Sequence, residues 1–209
     1  MNTLYRFGIS MLTLFVLCAA AWADSQDPVK ALQDHWAVAN YQSEGKQRKQ
    51  AFEDLTAEAD KVVASMPDTA EAHIWAGIVY STYAGEVSMF KAGKQVKRAR
   101  EELEHALQID PQAMQGSAYT SLGALLFQIP GFMGGDDEEA ENMLLKGIEL
   151  NPDGIDSNYF YGTFLLDQDR SDEAEQFLRK AQSAPPRPGR ELADNGRQKE
   201  IADALQALR

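Results

Sequence analysis

Cysteine is almost missing from this 209-residue sequence: one, Cys18, falls within the first twenty positions. A single thiol cannot close an internal disulfide, and it cannot build a cysteine-held zinc or iron–sulfur site. Histidine is nearly as scarce, with only His35, His73 and His105, and no two stand at the i, i+4 spacing of a helical zinc site. All three are expected to be structural or solvated. No nucleophile motif is present and the carboxylates are dispersed, so the residues point to no catalytic centre, no metal and no cofactor. Positive charge is the minority sign, at 20 Lys+Arg against 32 Asp+Glu and a net charge of −12. That balance argues against nucleic acid, because phosphate binding needs a basic face. Strand-like alternation of apolar and polar residues is absent as well, which leaves helices.

The one long apolar run, Ile9 to Ala21, follows Arg6 and ends in the small-x-small triplet Ala21-Trp22-Ala23. This is the order of a secretory signal peptide over residues 1–23, cleaved after Ala23. The run is shorter than the ~20 apolar residues that span a bilayer, and Asp24-Ser25-Gln26-Asp27 follows at once. Leu17 stands directly before Cys18, where lipid-attachment signals resemble one another in placing a small residue. The expected product is therefore periplasmic or secreted, with no transmembrane segment left after cleavage. Removing residues 1–23 takes away one cation and no anion, which moves the net charge from −12 to −13 and removes Cys18.

Internal periodicity sets the architecture. Three blocks end in proline with the same spacing: Leu103, Ala106, Pro111; Leu144, Gly147, Pro152; Leu178, Ala181, Pro186. A small residue, Ala99, Ala140 or Ala174, stands four positions before each Leu, and Ala76-Gly77, Leu122-Gly123 and Tyr161-Gly162 lie upstream. Small residues let two antiparallel helices approach closely, the large apolar residue one turn later fills the space between them, and proline ends the second helix. The pattern resembles the tetratricopeptide repeat. The resemblance implies an all-α fold, a right-handed superhelical stack of about four helix pairs with a C-terminal capping helix.

The expected organisation is a degenerate helix pair over 24–66, three repeats over 67–186 and a capping helix over 187–209. Pro28 to Tyr41 and Lys46 to Ser65 read as the first pair. Pro152 to Pro186 has the unmodified period of 34 residues, whereas the two preceding intervals between prolines are 44 and 41. The excess lies between the two helices of each repeat, near 85–96 and 129–136, so both insertions should project from one edge of the stack. The first is expected as lengthened helices joined near Ala92-Gly93-Lys94. The second, Ile129 to Asp136, is dense in glycine and proline and reads as a loop.

Each repeat's first helix should line a concave groove. Residues facing away from the Gly-centred contact are Ile74, Ile78 and Ser81, then Thr120, Ala124, Phe127 and Gln128, then Asp156, Tyr159, Thr163 and Leu166. This mixed surface suits a peptide or protein segment in the cell envelope. At the loop edge Phe132 and Met133 either fold back onto Tyr80, Tyr83 or Phe90 or await a partner. Lys91 and Lys94, with Lys97, Arg98 and Arg100, form a local basic cluster that is either neutralised by acids near Asp136 or offers a contact site for an anion or acidic peptide. Asp136 itself is expected to cap the next helix, with Glu139 closing a capping box.

Two functional readings follow. The repeat resemblance implies a non-catalytic adaptor that binds a protein or peptide through the groove and assists envelope assembly. The run Pro130-Gly131-Phe132-Met133-Gly134-Gly135-Asp136 is similar to a loop of the T-component of tripartite ATP-independent periplasmic transporters, which implies an accessory subunit of a solute transport system. The residues set neither the partner nor the oligomeric state.

Overall fold

A computed structural model describes residues 27–208. The expected signal peptide and its cleavage site lie outside the described residues. Among those described there are nine α-helices and no strand: α1 Pro28–Tyr41, α2 Gly45–Ser65, α3 Ala70–Glu86, α4 Met89–Ile109, α5 Ser117–Gln128, α6 Asp137–Leu150, α7 Ile155–Asp167, α8 Ser171–Gln182 and α9 Glu191–Ala207. No described helix is long and apolar enough to cross a membrane. The chain enters α1 through Asp27, whose side chain accepts a hydrogen bond from the Val29 amide, with Pro28 at the first helical position.

The Gly–Ala–Leu spacing acts as the sequence predicts. A Cβ placed on Gly77 would stand 2.5 Å from Leu103 Cγ, one on Gly123 would stand 2.7 Å from Leu144 Cγ, and one on Gly162 would stand 2.9 Å from Leu178 Cγ. Ala99, Ala140 and Ala174 are fully buried beside them. These contacts join α3 to α4, α5 to α6 and α7 to α8 as hairpins.

The extra length of the first full repeat is helix, as expected: α3 and α4 run 17 and 21 residues where α7 and α8 run 13 and 12. The joint, however, is at Val87-Ser88 and not at Ala92-Gly93-Lys94. Val87 and Ser88 are extended, while Ala92 faces the core from within α4. One exposed glycine among good helix formers costs only about 1 kcal/mol, too little to break a helix held by buried Ala92 and Val96. The second insertion is a loop carrying one short 3-10 turn, Gly131–Met133.

The inner layer departs most from expectation. Helices α1, α3, α5 and α7 contact one another in succession, and α9 contacts α7, α8 and α1. The last helix does cover the final repeat, but it also reaches back to the first helix, so the inner helices close into a ring. The contact is tight: a Cβ on Gly196 would lie 2.3 Å from the Tyr41 ring.

Candidate functional site

The ring surrounds a half-open chamber of about 1150 Å³. That is just above the usual range for small-ligand sites, and large enough for a short peptide segment. One wall is aromatic. Trp36 and Trp75 meet edge to face at 5.9 Å, Tyr41 packs on Trp36 at 5.8 Å, and Trp36 donates its indole N–H to Thr82 at 3.1 Å. Tyr159 and Phe160 of α7 stand on another wall, and Met89, Met114 and Met133 add adaptable apolar surface.

Of the residues expected to form an open groove, Ile78, Ser81, Thr120, Ala124, Gln128, Asp156 and Tyr159 line this chamber. The structure does not bring the others there. Ile74 is fully buried against Ala106, Ala113 and Ala118. Phe127 turns into the core, its ring edge-on to Phe164 at 5.7 Å. Leu166 packs against core clusters, and Thr163 returns its hydroxyl to the Phe160 carbonyl. The error is one of helix phase: a step of 100° per residue puts positions three and four apart on slightly different faces, and neighbouring helices decide which is inside.

Asp156 and Tyr159 line the chamber but are engaged by the chain's own C-terminal segment. The Asp156 carboxylate accepts from Arg187 Nη1 through one oxygen and from Arg197 Nε at 2.8 Å through the other. Arg187 also donates through its backbone N–H and Nε to Asp194, both at 2.7 Å. The Arg197 guanidinium lies 4.3 Å over the Tyr159 ring and 4.6 Å over that of Phe160, and pairs with Glu200 at 2.6 Å. Burial by itself would raise the Asp156 pKa, but Arg197 and Arg187 outweigh it and hold the carboxyl at about 2. Burial pushes the Tyr41 hydroxyl up to about 12, so Tyr41 stays neutral at ordinary pH. Sequence reasoning missed Arg187, Arg190 and Arg197. Their only signal was three arginines in an otherwise acidic chain following the Pro185-Pro186 turn.

Two consecutive left-handed residues, Met114 at φ 48° and Gln115 at φ 56°, precede Gly116 in the turn between α4 and α5, and all but Gly116 line the chamber. Non-glycine residues reach this region at a cost of about 1–2 kcal/mol each. The packing of Met114 against the core opposes that strain.

At the loop edge the expected pair divides. Met133 packs against the core cluster that includes Tyr80 and Tyr83, while Phe132 stands 76% exposed and Phe90 96% exposed. Asp136 caps α6 by accepting from the Glu139 amide at 2.9 Å. The reciprocal half of the capping box is not made: the Asp136 amide donates to the Leu126 carbonyl, and the Glu139 carboxylate accepts from Arg100 at 3.2 Å. That pair joins neighbouring repeats. Arg98 pairs with Asp60 and Lys97 with Glu101, whereas Lys91 and Lys94 are exposed without an ion partner among the described residues. The glycines of this loop serve its own turn. Gly134 has φ +95°, and a Cβ on Gly135 would lie 2.0 Å from the Ile129 carbonyl oxygen.

The histidines are held locally. His73 is buried, with its two ring nitrogens facing Glu102 at 2.5 Å and the Pro67 carbonyl at 2.8 Å, and the His105 ring packs edge-on against it at 4.4 Å. His35 meets Glu58 at the surface. Among the described residues no three of His, Cys, Asp and Glu gather as metal ligands would.

The tetratricopeptide repeat is matched by residues 155–188, which take in α7, α8 and the turn that follows. No curated protein sequence matches the chain. Among solved structures the chain is similar to TTC0263, a thermophilic TPR protein in Thermus thermophilus, at 16% identity and a TM-score of 0.57, over 87% of this chain and 98% of that one. It is also similar to MamA, at 20% identity and a TM-score of 0.47 over 78% of this chain and 90% of that one. The 41-end form of MamA from Desulfovibrio magneticus RS-1 follows at 14% identity and 0.48, over 87% and 93%. The likeness to TTC0263 speaks to fold, and the fold is the all-α stack of hairpins read from the repeat spacing.

Proposed function

We propose, on the premise that this chain is a tetratricopeptide-repeat protein in its fold and in its repeat at 155–188, that it is a non-catalytic adaptor of the cell envelope. After export and cleavage behind Ala23, it takes a short segment of a partner protein into the chamber inside the ring. Scaffolding of protein contacts suits a stack of hairpins, whose inner helices offer a continuous surface. The observation that carries the reading is the chamber itself: about 1150 Å³, walled by Trp36, Trp75, Tyr41, Tyr159 and Phe160 with polar Ser81, Ser121 and Gln128 between them. Rigid aromatic side chains supply contact area at low entropic cost, and the polar groups fix register.

The test fills the chamber. Ser81 and Ser121 are half-buried lining residues, and the double variant Ser81→Trp with Ser121→Trp occupies the space without touching the hairpin contacts. Protein isolated from the envelope fraction should begin at Asp24 and capture a partner identifiable by mass spectrometry. The filled variant, at unchanged helix content, should lose it at least tenfold. Equal capture by both proteins would dismiss the chamber as the binding site, and a mature protein confined to the cytoplasm would dismiss the envelope role.

A further inference from the structure

One cation in the chamber wall makes no ion pair or side-chain hydrogen bond among the described residues. Arg187 and Arg197 take up both oxygens of Asp156, and Arg187 takes up both oxygens of Asp194. Arg190 lines the same chamber, yet among the described residues it has neither an ion pair nor a hydrogen-bond acceptor. Its guanidinium instead lies 5.0 Å over the ring of Trp75. Trp75 is 2% exposed, and its indole N–H also finds no acceptor among the described residues. A cation held on an aromatic face is engaged from one side only, so its outward N–H groups can still donate to an anion. Burial, and after it the like charge of Arg187, lowers the Arg190 pKa despite the opposing pull of Asp156, Asp194 and Asp34, none of which hydrogen-bonds it, so a directly bound anion would relieve the site.

We infer that the chamber recognises a carboxylate borne on an apolar group, with the carboxylate on Arg190 and the apolar body along Trp75, Trp36 and the neighbouring methionines. Arginine presents paired N–H donors that match the two oxygens of a carboxylate, and the low-dielectric wall strengthens that match. The chemistry is met by an acidic side chain of a bound peptide or by a free organic acid. The inference rests on the adaptor reading for its location and goes beyond it in naming what is recognised.

The mature chain carries its own reporter. Once residues 1–23 are removed, Trp36 and Trp75 are the remaining tryptophans, and both line the chamber. Their fluorescence is titrated with two matched pairs: acetyl-Leu-Glu-Phe-amide against acetyl-Leu-Gln-Phe-amide, and 3-phenylpropionate against 3-phenylpropionamide. At least one acid should bind about tenfold to a hundredfold more tightly than its neutral partner, the difference a charge-assisted hydrogen bond makes. Which pair responds tells peptide from free acid. Arg190→Gln should erase the preference and Arg190→Lys should keep part of it. Neither variant removes a hydrogen bond seen in the fold, so circular dichroism should match wild type. No binding by either acid, equal binding of acid and amide, or a preference that survives Arg190→Gln overturns the inference. If the filled chamber abolishes partner capture while these titrations fail, the adaptor reading stands and carboxylate recognition alone is lost.

Discussion

Replacing Asp156 by asparagine is expected to unfasten α9 from the ring and to cost about 2–3 kcal/mol, less than the full cost of breaking a buried pair because Asp156 is one-third exposed. Among the described residues the carboxylate is the only group that holds Arg187 and Arg197 together across the gap between α7 and the C-terminal segment. Asparagine keeps one acceptor oxygen but no charge, so the attraction that draws both guanidinium groups to α7 is lost, while Arg187 keeps Asp194 and Arg197 keeps Glu200. Hydrogen exchange should accelerate along α9 and the adjoining face of α1 while α3 to α6 stay protected, since repeat stacks open locally. An α9 that exchanges at the wild-type rate would show that the ring is held by packing alone.

The same residue sets an acid limit. Its carboxyl is depressed from 3.8 to about 2 in the folded chain. A depressed acid contributes its stability above the unfolded pKa and loses it as pH falls through the folded one. Stability from this source is therefore constant above about pH 4 and declines between about pH 4 and pH 2. Asp156→Asn should remove that part of the decline, which urea titrations across this window would measure.

The second large effect is a contrast between two glycines given the same substitution. Gly123→Ala is expected to destabilise by about 2–3 kcal/mol, at the upper part of the overpacking range. Its new Cβ meets not only Leu144 Cγ but backbone atoms, the Ala140 carbonyl oxygen at 2.9 Å and the Leu144 nitrogen at 3.0 Å, so the α5–α6 hairpin must part. Gly93→Ala is expected to stabilise by about 0.5–1 kcal/mol, because Gly93 is an exposed position inside α4 with nothing within 4 Å of its Cβ. Denaturation midpoints of both variants decide the matter. A common sign would break the link between the repeat spacing and hairpin contact.

Much of the fold was legible because its signals are local. The span of α1, the lengthened α3 and α4, the loop before α6 and the Asp136 cap are each written in one contiguous stretch of chain. The candidate site was legible only in part. Thr120, Ser81 and Tyr159 reach the chamber as the groove pattern suggests, whereas Ile74 and Phe127 turn into the core because α4 and α7 cover their faces. Met133 and Phe132 are adjacent and chemically alike, yet one packs and the other is exposed, a choice made by the 3-10 turn that carries them both.

The sequence alone determined that hairpins form and stack, because the Gly, Ala and Leu of each repeat lie close enough in the chain for their contact to follow from spacing. The tertiary structure alone decided that the stack closes. That outcome rests on Tyr41 meeting Gly196 and on Asp156 meeting Arg187 and Arg197, contacts between residues far apart in the chain whose geometry accumulates over every intervening helix. A small rotation per repeat, summed around the ring, turns an open groove into a chamber, and no single segment of sequence carries that sum.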